Sequence, residues 1–136
     1  MIDKTKIIRV RDVMKTSFGT IEGEATISDA LNMMKSVGTS VLVVKKRHED
    51  DEFGLITSAD IARKVLAKDR APGRVNVYEI METPVISVSP DMDIRYCSRL
   101  FSNYNLVRAP VLENGEIIGM VSPNALVLDG LYKICQ

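Results

Sequence analysis

Phe53-Gly54-Leu55-Ile56-Thr57-Ser58-Ala59-Asp60 ends an apolar strand, turns on two hydroxyls and opens a helix with a carboxylate. Ile118-Gly119-Met120-Val121-Ser122-Pro123-Asn124-Ala125 has the same order of parts: an apolar residue, Gly, two apolar residues, a hydroxyl and a helix start. The chain therefore reads as two copies of one unit.

Outward from these turns the duplication continues. Val10-Arg-Asp-Val-Met14 matches Val77-Tyr-Glu-Ile-Met81, an offset of 81 − 14 = 67, with an acidic residue two before each methionine. The segment 6–14 reads as a lead-in strand or short turn, with its partner at 75–81. Helices are expected from the N-cap residues Thr26 and Asp93. Their apolar stripes are Ile27, Ala30, Leu31, Met34 and Val37, ended by Gly38, and Ile94, Cys97, Leu100, Phe101 and Tyr104. Continuous apolar strands at 41–44 and 109–112 follow, as in strands covered on both faces. The first copy joins its last two strands through the charged loop 45–52, while the second has Asn114-Gly115, suited to a type I′ hairpin. Closing helices run from Ser58 to about Asp69, and from Pro123 to the C-terminus. Each copy is strand, helix, strand, strand, helix, and about 60 residues bury their apolar face poorly alone, so the two are expected to pack as one body.

Composition bounds the function. The chain has 136 residues, 46% of them apolar, and 18 acidic side chains balance 18 basic ones. That balance gives no net field for nucleic acid or an anionic membrane. No apolar run of about 18 residues is present to span a bilayer, and residues 1–9 alternate charges with single apolars, unlike a signal peptide. A cytoplasmic protein with two reduced cysteines, Cys97 buried, is expected. One histidine, His48, builds neither a zinc site nor a Ser-His-Asp arrangement, and no Walker or Rossmann glycine motif occurs. Binding without catalysis is the class that remains.

The duplicated β-α-β-β-α unit, with Gly-x-x-Thr/Ser-x-x-Asp at the strand-to-helix turn and Asp/Glu-x-Met before each copy, resembles the cystathionine-β-synthase (CBS) domain. Two in tandem look like a Bateman module. The resemblance runs from about Val10 to Leu131. It implies a mixed α/β (α+β) fold of two pseudo-symmetric repeats packed through their sheets, divided as a lead-in at 1–9, a first repeat at 10–73 and a second at 74–136. It also implies an adenosine-containing ligand (AMP, ADP, ATP or the S-adenosylmethionine class) in clefts between the repeats, homodimers and no enzymatic activity.

Carried over residue by residue, the resemblance places the carboxylate of Asp60 on the ribose hydroxyls, a bidentate donor pair. Thr57, Ser58 and the amides opening that helix would face ribose or phosphate. Met81, Val85 and Ile86 would contact adenine, and Arg108, followed by Ala109 and Pro110, would meet phosphate. Taken by itself, Thr57-x-x-Asp60 is also a plain capping box, and Arg108 a plain surface cation. The second copy has Ala125 where the first has Asp60, while the first has Ser40 where the second has Arg108. One site per chain is therefore expected. The reading is a regulatory module with no cofactor, sensing an adenine nucleotide as ligand and acting on an effector protein in trans. A purely structural dimerisation module with a degenerate site is the alternative.

Overall fold

A computed structural model describes residues 6–136, which divide into two packed units. The part of the expected lead-in before Lys6 lies outside the described residues. One unit is Phe18–Val85; the other joins residues 6–17 with Ile86–Gln136. These are spatial units rather than the sequence repeats at 10–73 and 74–136, because each Asp/Glu-x-Met segment packs with the copy that the other one precedes.

In the first unit, Thr26 Oγ1 accepts from the Asp29 amide at 3.1 Å and Asp29 Oδ2 accepts from the Thr26 amide at 3.0 Å. This reciprocal cap starts α2, Ile27–Val37, and Gly38 ends it at φ 77°. Ile27, Ala30 and Met34 are buried, whereas Leu31 and Val37, expected on the same stripe, remain exposed. The strands β1 (Gly19–Ile21), β2 (Val41–Val44) and β3 (Gly54–Thr57) form a sheet in that order, β1 parallel and β3 antiparallel to β2. The helix α3, Ser58–Ile61, continues as a π-helical turn over Ala62–Leu66. A 3₁₀ turn, Pro72–Arg74, leads to the one-turn helix α4, Val77–Ile80. Ile27, Leu42, Ile56, Val65, Val77 and Ile80 centre its core.

The second unit repeats the plan. It contains α1 (Val10–Val13), α5 (Ile94–Tyr104), and the antiparallel pair β4 (Ala109–Glu113) and β5 (Glu116–Val121). A π-helical stretch, Ala125–Leu131, and α6 (Tyr132–Ile134) close it. Its counterpart of β1 is one parallel bridge, Val88↔Val111. Asn114 and Gly115 both have positive φ, 53° and 80°, as the expected I′ turn requires. Asn105, at φ 53°, ends α5 as Gly38 ends α2. Ile94, Cys97 and Phe101 are buried, while Tyr104 is exposed. Burial pushes the Cys97 thiol up to about 11.

The segments 10–13 and 77–80 are one-turn helices rather than a strand, because the acidic residue two before each methionine completes a cap. Asp12 Oδ2 accepts from the Arg9 amide at 2.9 Å and Glu79 Oε2 from the Asn76 amide at 2.8 Å. The backbone bonds holding them are related by the offset of 67. Ile94 N donates to Ile8 O and Ile27 N to Val75 O; Val10 N donates to Met92 O and Val77 N to Ala25 O.

Past each methionine the chain forms a two-bond bridge to the glycine-bearing strand. Leu55 exchanges both backbone bonds with Glu82 (2.9 and 2.8 Å), and Met120 exchanges both with Lys15 (2.9 and 2.8 Å). A Cβ at Gly54 would stand 2.7 Å from Met81 Sδ and 3.2 Å from the Glu82 carbonyl oxygen. At Gly119 it would meet Met14 Sδ at 2.8 Å and the Lys15 carbonyl oxygen at 2.9 Å. A methionine side chain can turn aside, but a bridged carbonyl cannot without breaking its bonds. Gly119→Ala is therefore expected to destabilise the protein by about 1–3 kcal/mol, and Gly54→Ala by less, in urea unfolding curves. Equal stability of wild type and Gly119→Ala would refute this account of the close approach.

Candidate functional site

The turn between β3 and α3 is built from the sheet. Val41 pairs with Thr57 across β2 and β3, and the Ser58 amide donates to Ser40 O at 2.9 Å. Thr57 then caps α3: its Oγ1 accepts from the Asp60 amide at 3.1 Å. Asp60 Oδ2 accepts from the Thr57 amide at 3.2 Å and from Thr57 Oγ1–H at 2.9 Å. Its other oxygen, Oδ1, accepts from Arg63 Nη2 at 2.8 Å. Asp60 is only 6% exposed and is the one buried charged residue among the described residues. A buried carboxylate costs free energy unless donors reach it, and here three do.

The helix carrying Asp60 is tied to the segment before Met81. Lys64 Nζ donates to Ile80 O at 3.1 Å, and Arg70 Nη2 reaches Glu79 Oε1 at 3.3 Å. The same unit, Phe18–Val85, thus holds Thr57, Ser58, Asp60, Met81 and Val85 of the expected site. Thr57, Met81 and Val85 are half-buried and Ser58 is exposed. Ile86, Arg108, Ala109 and Pro110 belong to the other unit. There Ile86 is exposed and Arg108 half-buried, with no ion pair among the described residues. Ala109 and Pro110 are core residues of that unit, and Pro110 O already accepts from the Val88 amide at 3.0 Å.

The second copy of the turn forms without a carboxylate. Ser122 Oγ accepts from the Ala125 amide at 3.4 Å, and Ala125 is buried. A strand-to-helix turn of this type needs its hydroxyl but not its aspartate. Arg63 was not among the residues singled out from the sequence, although its position three past Asp60 on a helix was the available signal. The charged loop 45–52 is largely exposed and closed by Arg47 and Asp51 at 3.1 Å. Asp51 is held at about 2 by the backbone amides of Arg47 and Glu52. No helix among the described residues is long and apolar enough to cross a membrane.

The family model described as CBS domain matches residues 10–67 and 77–128. A CBS domain-containing protein of Bacillus subtilis, YhcV, is 28% identical over 88% of this chain and 84% of its own length. Other curated relatives are longer: the chain spans 50% of a protein of Methanopyrus kandleri and 23% of a homoserine O-acetyltransferase of Methanosalsum zhilinae. Among solved structures, the hexameric CBS-CP12 protein from bloom-forming cyanobacteria is 33% identical, with TM-score 0.86 over 93% of this chain and 73% of that one. The CBS domain pair of protein MJ0100, solved in complex with 5′-methylthioadenosine and S-adenosyl-L-methionine, shares the fold at 24% identity and TM-score 0.77. It covers 94% of this chain and 99% of its own.

Removing the Asp60 carboxylate strips the cap of its second half and leaves Arg63 without its partner. Asp60→Ala is expected to lower stability by about 1 kcal/mol, within the range for a lost cap. Arg63→Ala should cost under about 0.5 kcal/mol, since its side chain is 68% exposed. Chemical denaturation of the two variants beside wild type measures both; a larger loss for Arg63→Ala would reverse the assignment of the cap to Thr57 and Asp60.

Proposed function

Since the chain belongs to the CBS-domain family, as a pair of repeats and hence a regulatory module, we propose that it binds an adenosine-containing ligand with the ribose on Asp60. It does so without catalysing a reaction on that ligand. The observation that carries this reading is the contrast between the two turns. The fold starts one helix with Ala125 and the other with a buried aspartate, so helix initiation alone does not account for Asp60. A carboxylate is matched to a vicinal diol, since both hydroxyls donate and a carboxylate only accepts.

The complex of the MJ0100 pair with two adenosyl compounds supports this ligand class. By the family resemblance, the phosphate of a nucleotide falls to Arg108, whose guanidinium has no competing carboxylate among the described residues. Calorimetric titration with AMP and adenosine should give one ligand per chain. Asp60→Ala should lose about one to two decades of affinity for both, and Arg108→Ala for AMP alone, the range for hydrogen bonds to charged groups. Two equivalent sites per chain, or an Asp60→Ala variant binding as wild type does, would favour the purely structural module.

The module's output rests on its exposed apolar helix faces. A mostly apolar groove of about 370 Å³ in the first unit is lined by Leu31, Ile61, Val65, Leu66 and Pro72 together with Asp69 and Arg70, and Leu66 is 76% exposed. The second unit has its counterpart, about 260 Å³, lined by Ile94, Arg95, Ser98, Leu126, Val127, Leu131 and Ile134; Leu128, in the helical stretch that lines it, is 67% exposed. Exposed apolar side chains lie at both grooves, and a second copy of the chain is the occupant proposed here, with an effector protein engaged in trans. Sedimentation velocity at tens of micromolar should show a dimer, and the pair Leu66→Glu and Leu128→Glu should yield a folded monomer. A monomeric wild type would remove the claim.

A further inference from the structure

The donors around Asp60 do not leave room for both hydroxyls of a ribose. A carboxylate offers about four acceptor positions, two on each oxygen. Oδ2 already accepts two donors from Thr57, and Oδ1 accepts one from Arg63. One position remains where a vicinal diol needs two. The Thr57 bonds are parts of the helix cap, and the cap uses Oδ2 only. The Arg63 bond is different in kind. It serves no backbone group, and its side chain is 68% exposed against 8% for that of Asp60, so breaking it returns a guanidinium to water at little cost. The neighbouring cation, Lys64, is committed to Ile80 O.

Resting on the reading of Asp60 as a ribose site, we propose that Arg63 sets ligand affinity and sugar selectivity by competing for the Asp60 carboxylate. Its guanidinium holds one position on Oδ1 in the free protein, and a cis-diol displaces it. A sugar with a single hydroxyl fits the remaining position without displacing anything. Arg63 is thus a selectivity residue that acts through Asp60.

Calorimetry with adenosine and 2′-deoxyadenosine on wild type, Arg63→Met and Arg63→Lys tests this. Methionine keeps the aliphatic stem and removes the competitor, whereas lysine retains a cation. Arg63→Met should bind adenosine roughly two- to fivefold more tightly than wild type, the range an exposed ion pair is worth. It should bind 2′-deoxyadenosine unchanged, and Arg63→Lys should fall between wild type and Arg63→Met for adenosine. A general structural effect of the substitution would move both ligands together. Adenosine binding by Arg63→Met alone, with wild type too weak to measure, would also support the competition. If wild type binds adenosine and Arg63→Met binds it equally or more weakly, the competition is overturned while the ribose site stands. If no variant binds either nucleoside, the ribose site and the competition both fall.

Discussion

One close approach organises each unit: the carbonyl-bearing segment after Met81 against Gly54 in the first, and the segment after Met14 against Gly119 in the second. A backbone bridge of two hydrogen bonds brings these chains so close that a Cβ would stand 2.9 Å from the Lys15 carbonyl oxygen at Gly119 and 3.2 Å from that of Glu82 at Gly54. Burial of Val77 and Ile80, or of Val10 and Val13, follows from it, because the one-turn helices precede the bridged residues and are carried into the core with them. The helix α2 is then closed from the same side, with Ile27 N donating to Val75 O as Ile94 N donates to Ile8 O around α5. The Asp/Glu-x-Met motif and the glycine of Gly-x-x-Thr are therefore two halves of one contact. The acid caps the short helix, and the methionine lies on the glycine.

The buried carboxylate of Asp60 is a point where the two copies part. In the first unit the cap spends an aspartate, satisfied by three donors, on a turn that the second unit makes with a serine hydroxyl and an alanine. Burying a charge is costly and each donor offsets part of that cost, so the cap and the ion pair explain how Asp60 is tolerated rather than why it is there. The ion pair also adds a constraint. Any ligand that uses this carboxylate must find it already partly occupied, on one oxygen by the fold and on the other by an exposed arginine.

Much of the fold was legible because local chemistry and tertiary structure agree. Thr26 acts through its hydroxyl on the first turn of its own helix, Gly38 and Asn114-Gly115 act through their own backbone, and each does what its residue type dictates. The helix stripes were legible only in part. Leu31, Val37 and Tyr104 lie at the right spacing, yet they fall at the edge of an arc that one sheet can cover, and they remain exposed. Of the site, Thr57 and Asp60 were readable from their spacing. Arg63 was not singled out, since its spacing of three from Asp60 is shared by many exposed helical pairs, and only the structure puts its Nη2 2.8 Å from Oδ1. Ala109 and Pro110, adjacent in sequence to Arg108, lie in the core instead of on a free surface, a distinction that adjacency does not carry.

By itself the sequence determined the duplication, its offset of 67 residues between the Asp/Glu-x-Met segments, the order of elements within each copy and the asymmetry between Asp60 and Ala125. These are all properties of periodicity and residue type, which act over one or two turns of chain. Only the tertiary structure decided which segment completes which unit. Residues 6–17 pack with Ile86–Gln136, and residues 74–85 pack into the unit that begins at Phe18. Helical caps and apolar spacing are the same in either arrangement. The choice is made by long-range backbone bridges, Lys15 with Met120 and Glu82 with Leu55, whose partners are set by three-dimensional packing and leave no periodic trace.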